Sequence, residues 1–291
     1  MVHLSAPQIF HTLAVPQQDA AVLMAELPVD NPADWRGLAA GLALAFAQTP
    51  CRTFGICGGQ GAGKSTLSAL LAQALQLQSV NALVLSLDDF YLTRAERQRL
   101  AEREHPLLAT RGVPGTHDVG RLAEVLHEVL LPGRHRLPVF DKGRDDRSDD
   151  PFWFEGPADT VILEGWCVGV APEPDVRLVE PVNALERVED PQGRWRGYVN
   201  ICLRECYAPI WQQLDKLLYL AVPDIRAVLR WRGEQELERP PAMRMSTAQI
   251  ARFVAHYERL TLWMRETLTE SAQIVGYLDP QHRLEALKIR G

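Results

Sequence analysis

The stretch GGQGAGKST at positions 58–66 constrains this chain more than anything else in it. It fits the pattern Gly-x4-Gly-Lys-[Ser/Thr], with Gly58, Gly63, Lys64 and Ser65 at the fixed places. A short apolar run at 53–57 precedes it, and 65–77 after it have helical spacing. Glycines let the backbone curl until several N–H groups point inward at one phosphate. The helix that follows presents its positive end to the same point. Gly58, Gly59, Gln60, Gly61, Ala62, Gly63, Lys64, Ser65 and Thr66 are therefore candidate nucleotide contacts. Lys64 is placed to reach the β/γ-phosphates and Ser65 to ligate Mg2+. A glycine turn made only for shape would leave Lys64-Ser65-Thr66 unexplained.

The alternation continues beyond the loop. Apolar runs predict strands at 53–57, 82–87, 160–163, 217–222 and 273–278, with a short one at 137–140. Helical spacing falls at 65–77, 94–104, 119–131, 201–214, 224–236 and 247–269. Alternation of this kind predicts an α/β fold, a mostly parallel sheet with helices on both faces. Residues 1–50 read as a helical N-terminal extension, with Asp34 after Pro32 as a candidate cap, and 51–291 as the main domain. Two segments, 111–118 and 141–157, are rich in turn formers and charge and read as working loops.

Composition removes several classes. The chain has 291 residues, 46% apolar, with a net charge of only -6, so disorder is excluded as its main state. No apolar run approaches the ~20 residues of a membrane span, since the longest, 38–46, is broken by Gly41. A secretory signal is not visible, and a cytoplasmic location with no membrane partner is the expectation. The acidic balance argues against broad nucleic-acid binding. Five cysteines without a CxxC pair read as small buried hydrophobes in a reducing compartment.

Two acidic elements stand where a phosphoryl-transfer site needs them. Asp88 and Asp89 close the second strand, and ligands of open α/β sheets sit at the carboxyl ends of strands. One of the pair is a candidate base toward an acceptor hydroxyl, and the other a candidate to orient water around Mg2+. Glu164 ends the buried strand at 160–163, the place of a second acidic element near the metal. Arg111, His117, Lys142 and Arg144 lie in loops expected to face the site and would suit an anionic acceptor. Tyr91, beside the acidic pair, is a further candidate acceptor contact.

Together GGQGAGKST, SLDDFYLT (86–93), RGVPGTHD (111–118), PVFDKGRDDR (138–147) and EGW (164–166) resemble one family. It is the ATP-dependent D-glycerate 3-kinases of plant and bacterial type, within the P-loop group of phosphoribulokinase, uridine kinase and pantothenate kinase. The similarity runs over most of 51–278. The resemblance implies the three-layer αβα P-loop fold and transfer of the γ-phosphate of MgATP to D-glycerate, giving 3-phosphoglycerate. It also implies that Asp88 is the base, and that a segment at about 226–246 is a lid, with Arg232 and Arg239 closing over the nucleotide. Other readings stay open at this point: a nucleoside or pantothenate-like acceptor, a P-loop switch that hydrolyses ATP to drive a partner, or a binding protein without activity. Intact Lys64, Ser65, Asp88 and Glu164 speak against the last.

Overall fold

The computed structural model describes residues 3–237 and 244–290. The chain opens with three helices, α1 (Ala6–Thr12), α2 (Gln17–Ala25) and α3 (Ala33–Gln48). Strand β1 (Thr53–Gly58) leads into α4 (Lys64–Gln76), followed by β2 (Ala82–Ser86), α5 (Arg94–Arg103) and α6 (Val119–Glu128). A ribbon region holds β3 (Gly133–Leu137), β4 (Phe140–Asp141), β5 (Asp146–Arg147) and β6 (Phe152–Gly156). Next come β7 (Thr160–Gly165), α7 (Ala184–Glu189), α8 (Arg194–Cys202), α9 (Ala208–Trp211) and β8 (Lys216–Ala221). The last elements are α10 (Ile225–Leu237), α11 (Thr247–Ser271), β9 (Ile274–Leu278) and β10 (Leu284–Ile289).

The main sheet has the order β10-β9-β8-β1-β7-β2, parallel throughout except for β10. Its central strands are buried on both faces, and alternate residues go to different layers. Phe54, Ile56, Ile162, Leu218 and Leu220 pack under α3, α4 and α10. Cys57, Val161, Leu163, Tyr219 and Val275 pack on the other side, under α6, α8 and α11. This is the three-layer α/β arrangement. Among the described residues no helix is long and apolar enough to cross a membrane.

Several elements differ from the sequence reading. The single short strand expected at 137–140 is replaced by the end of β3 at Leu137 and the start of β4 at Phe140, and β3 pairs antiparallel with β6 inside what reads as a loop. The helix expected at 201–214 begins at Arg194 and passes through a π-helical turn, Leu203–Tyr207, into α9. That turn rotates Cys206 to the surface while Cys51, Cys57, Cys167 and Cys202 are buried. A further strand, β10, follows β9; Leu284 is its one buried residue, so apolar periodicity could not announce it. Asp34 does not cap α3. Pro32 holds the cap position, and the buried Asp34 carboxylate accepts instead from the Leu284 N–H of β10 at 2.8 Å.

Candidate active site

The phosphate loop leaves β1 at Gly58 and enters α4 at Lys64. Gly61 and Gly63 are left-handed, at φ 75° and 82°, a conformation costly for a residue with a Cβ. Each is also covered by a tryptophan from a distant part of the chain. A Cβ on Gly61 would stand 2.7 Å from Trp231 Cβ, and one on Gly63 would stand 2.8 Å from the Trp35 ring. Neither tryptophan is signalled by the motif itself.

Two cavities meet across this loop. One, of about 240 Å³, lies toward the carboxyl ends of β2 and β7 and reaches Asp88, Arg111, Lys142 and Glu164. The other, of about 430 Å³, opens on the outer side of the loop. Gly61, Lys64 and Ser65 belong to both walls. A linear phosphate chain held by the loop would therefore present one end to each cavity.

Glu164, 5% exposed, accepts through one oxygen from Ser65 Oγ at 2.9 Å and Ser86 Oγ at 3.0 Å. The parallel register of β2 on β7 sets Ser86 opposite Glu164 and so places the second contact. Lys64 Nζ donates to the Gly59 carbonyl at 3.1 Å. The Ser65 hydroxyl and Glu164 carboxylate form an all-oxygen donor pair. Such a pair fits Mg2+, which takes few protein ligands and fills its shell with water and phosphate oxygens.

Asp88 and Asp89 share one turn of 3-10 helix, Leu87–Phe90, and point to different partners. Asp88 lines the acceptor-side cavity. Lys142 Nζ lies 2.6 Å from its Oδ2, and the Tyr91 hydroxyl donates to its Oδ1 at 2.8 Å. Burial pushes the Asp88 carboxyl up, but Lys142, Tyr91 and Lys64 outweigh it and hold the group below its ordinary value. Asp88 is thus ionised and acceptor-only at neutral pH, as a base toward a hydroxyl must be. Asp89 is not part of the cavity wall. Its Oδ1 accepts from the Phe140 N–H at 3.0 Å, tying β4 to the turn. Burial, with the charges of Asp88 and Glu164 adding to it, raises the Asp89 carboxyl. The geometry therefore gives Asp89 a structural partner rather than a place beside Ser65 and Glu164.

The acceptor-contact candidates divide in the same way. Tyr91, Arg111 and Lys142 line the cavity. The Arg111 guanidinium pairs with Asp145, which also bridges to the buried Arg97 at 2.6 Å. Arg144 does not reach the cavity. It stands 64% exposed near Asp149, because the Asp141 carboxylate accepts from the Gly143 and Arg144 N–H groups and turns the loop outward. His117 does not reach it either. It is 5% exposed behind Tyr91, with the two rings stacked at 4.7 Å. Its Nδ1 is 2.7 Å from the Tyr207 hydroxyl, which itself accepts from the Gly115 N–H. His117 supports the ring that holds Asp88.

Burial pushes the His117 imidazole down to about 4. The unfolded chain binds this proton below about pH 6.5 while the folded chain does not, so stability falls as pH drops from there toward 4. The loss attributable to His117 is on the order of 3 kcal/mol at ~1.4 kcal/mol per pH unit. His117→Phe, which cannot titrate, is expected to flatten urea-denaturation stability across this range. A slope as steep as wild type would remove His117 as its source, leaving His256, which burial also lowers.

Arg232 lines the cavity, pairs with Glu236 and lies over the Phe253 ring at 5.2 Å. Arg239 lies outside the described residues. The part of the expected lid that is described, α10, is docked on the phosphate loop through the fully buried Trp231. Sequence reasoning missed Phe253 and Tyr257, which with Trp166 form an aromatic wall. Trp166 and Tyr257 meet edge to face at 4.7 Å, and the Tyr257 hydroxyl donates to the Arg111 carbonyl at 2.7 Å. Phe253 and Tyr257, four apart on α11, look from sequence like part of a core stripe.

No family model matches the chain. An uncharacterized kinase of Schizosaccharomyces pombe, mug58, is 35% identical over 239 residues, 76% of this chain and 83% of that one. The chain belongs to the same kinase family as that protein. A chloroplastic D-glycerate 3-kinase of Arabidopsis thaliana is 32% identical over 228 residues, which are 72% of this chain but 46% of the plant protein. The chain thus spans about half the length of that relative. A solved D-glycerate 3-kinase from Cryptococcus neoformans shares the fold, with a TM-score of 0.71, 24% identity and coverage of 98% and 99% of the two chains. The three-layer α/β architecture and the kinase class accord with the phosphate-loop and acidic motifs of the sequence.

Proposed function

We propose that this kinase transfers the γ-phosphate of MgATP to the 3-hydroxyl of D-glycerate, giving 3-phosphoglycerate and ADP. The observation that carries the reading is the acceptor-side cavity, where the Asp88 carboxylate and the cations Arg111 and Lys142 face the phosphate loop. Asp88 is placed to take the hydroxyl proton. Arg111 and Lys142 supply the positive charge that an acceptor carboxylate needs. Lys64 neutralises charge on the transferring group. Ser65 and Glu164 would hold Mg2+, which would supply positive charge to offset that of the phosphates. Trp166, Phe253 and Tyr257 keep one side of the cavity dry, which strengthens each of these interactions.

The aromatic wall is also the one observation that favours the runner-up, a nucleoside acceptor that stacks on rings. Ring contacts alone leave Arg111 and Lys142 without a function in binding a neutral nucleoside. Glycerol, uridine and pantothenate are therefore the informative competitors. Glycerol lacks the carboxylate that Arg111 and Lys142 would meet beside their own partners Asp145 and Asp88, and a site built to hold a charged group rejects the analogue lacking it by orders of magnitude. Acceptor-dependent ADP release is expected to be far greater with D-glycerate than with the other three, and phosphorus NMR should place the phosphate on the 3-hydroxyl. Preference for uridine would overturn the acceptor, and phosphate on the 2-hydroxyl would overturn the regiochemistry. ATP turnover without acceptor at a comparable rate would favour a nucleotide-driven switch instead.

A further inference from the structure

Away from both cavities of the phosphate loop, three buried polar side chains border one small common space. This cavity, of about 10 Å³, lies between α8, α11 and the segment 166–183 that follows β7. Glu173 of that segment, Trp195 of α8 and His256 of α11 line it, and they are 4%, 3% and 6% exposed. Glu173 Oε1, Trp195 Nε1 and His256 Nε2 have no hydrogen-bond partner among the described residues. Buried polar atoms are nearly always hydrogen-bonded, so three orphans around one cavity call for a ligand.

The other polar groups of the wall are already engaged. Arg259 donates to both Glu186 oxygens, at 2.8 and 2.7 Å, and Arg196 to Asp190 at 2.9 Å. The Asn200 amide clasps the Glu173 backbone: its Oδ1 accepts from the N–H at 2.7 Å and its Nδ2 donates to the carbonyl at 2.9 Å. These contacts fix the walls and leave three open valences whose signs can be read. Trp195 Nε1 only donates, and an ionised Glu173 Oε1 only accepts. His256 Nδ1 lies 2.9 Å from the Arg252 carbonyl, which cannot donate. Nδ1 therefore carries the hydrogen, and Nε2 of the neutral ring keeps a lone pair. Burial lowers the His256 imidazole, which favours that neutral form. The cavity thus presents one donor and two acceptors.

We infer that this cavity holds one buried water molecule, which accepts from Trp195 Nε1, donates to His256 Nε2 and Glu173 Oε1, and so braces the 111–118 loop from beneath. Water has the two hydrogens and the lone pair that this set needs. Buried waters commonly make about three hydrogen bonds, and about 10–15 Å³ is room for one. A cation would face the Trp195 N–H, and a chloride would face the Glu173 carboxylate and the His256 lone pair, so neither fits. A protonated Glu173 donating straight to His256 would satisfy two of the three atoms and leave the Trp195 N–H without an acceptor. The brace follows from position. Val113 of the loop is another wall of the cavity. Tyr257, next to His256 on α11, donates to the Arg111 carbonyl at 2.7 Å. A water that joins α11 to α8 keeps both attachments in place, whichever acceptor the kinase takes.

A high-resolution crystal structure of the full chain should show a density peak within about 3.2 Å of all three atoms, without the anomalous signal of chloride. A cavity without density, a chloride, or direct contact between Glu173 and His256 would overturn the water. Trp195→Phe removes the one donor and no charge. Amide exchange read by mass spectrometry is then expected to quicken over 111–116 by about tenfold, the scale of one buried hydrogen bond. Strands β1 and β7 should keep their wild-type rates, because only a local opening is eased. His256→Phe, which removes one acceptor, should quicken the same segment and serves if the first variant does not fold. Unchanged exchange over 111–116, or equal acceleration in loop and sheet, would overturn the brace.

Discussion

Lys64→Ala is expected to lower kcat by about 10²–10³-fold, the usual consequence of removing one preorganised charge donor at a transferring group. Lys64 lies in the stretch of wall common to both cavities, where the phosphate chain must cross from one to the other. Its Nζ now rests on the Gly59 carbonyl at 3.1 Å, so it is held in the loop before any ligand arrives. The fold should tolerate the change, because Lys64 opens α4 and alanine is the best helix former. Coupled ADP-release kinetics beside a thermal melt check both halves. A folded variant with undiminished turnover would remove Lys64 from the phosphate site and, with it, the phosphate-loop reading of 58–66.

The elements legible in the sequence are those whose chemistry is local. β1, β7 and β8 are buried on both faces, so they appear as unbroken apolar runs wherever they are placed. The phosphate loop is legible because a curled backbone, a lysine and a hydroxyl must be adjacent in the chain to act on one phosphate. Side-chain direction is not local. His117 and Arg144 both sit in loops that border the site, yet Tyr207 draws one inward behind Tyr91 and the Asp141 turn sends the other into solvent. Asp145, to which the sequence reading gives no role, bridges Arg97 and Arg111 and so fixes the cation at the cavity wall. Trp35, Trp231 and His282 meet at the loop from α3, α10 and the last turn, and only tertiary packing brings such distant residues together. The ribbon of β3 and β6 was hidden for another reason. Its strands alternate Arg134, Arg136 and Glu155 with few buried residues, so the segment reads as a charged loop.

Asp88→Asn is expected to cut kcat by about 10²–10⁴-fold while leaving ADP affinity near wild type. An amide cannot take the acceptor's hydroxyl proton, and Asp88 lies on the acceptor side of the loop rather than among the walls of the larger cavity. The fold should survive, because Lys142 is 58% exposed and water replaces its lost partner. The pH profile gives the sharper evidence. Because Lys142, Tyr91 and Lys64 together hold the Asp88 carboxyl below its ordinary value against the opposing effect of burial, wild-type kcat/KM should lose activity only below the usual carboxylate range of about pH 4. Lys142→Met removes the cation 2.6 Å from the carboxylate, and burial then dominates. Protonation would set in at higher pH, so the acid limb of this variant should move upward. An acid limb that stays in place in Lys142→Met, or that persists in Asp88→Asn, would assign the titration to another group and take the role of base away from Asp88.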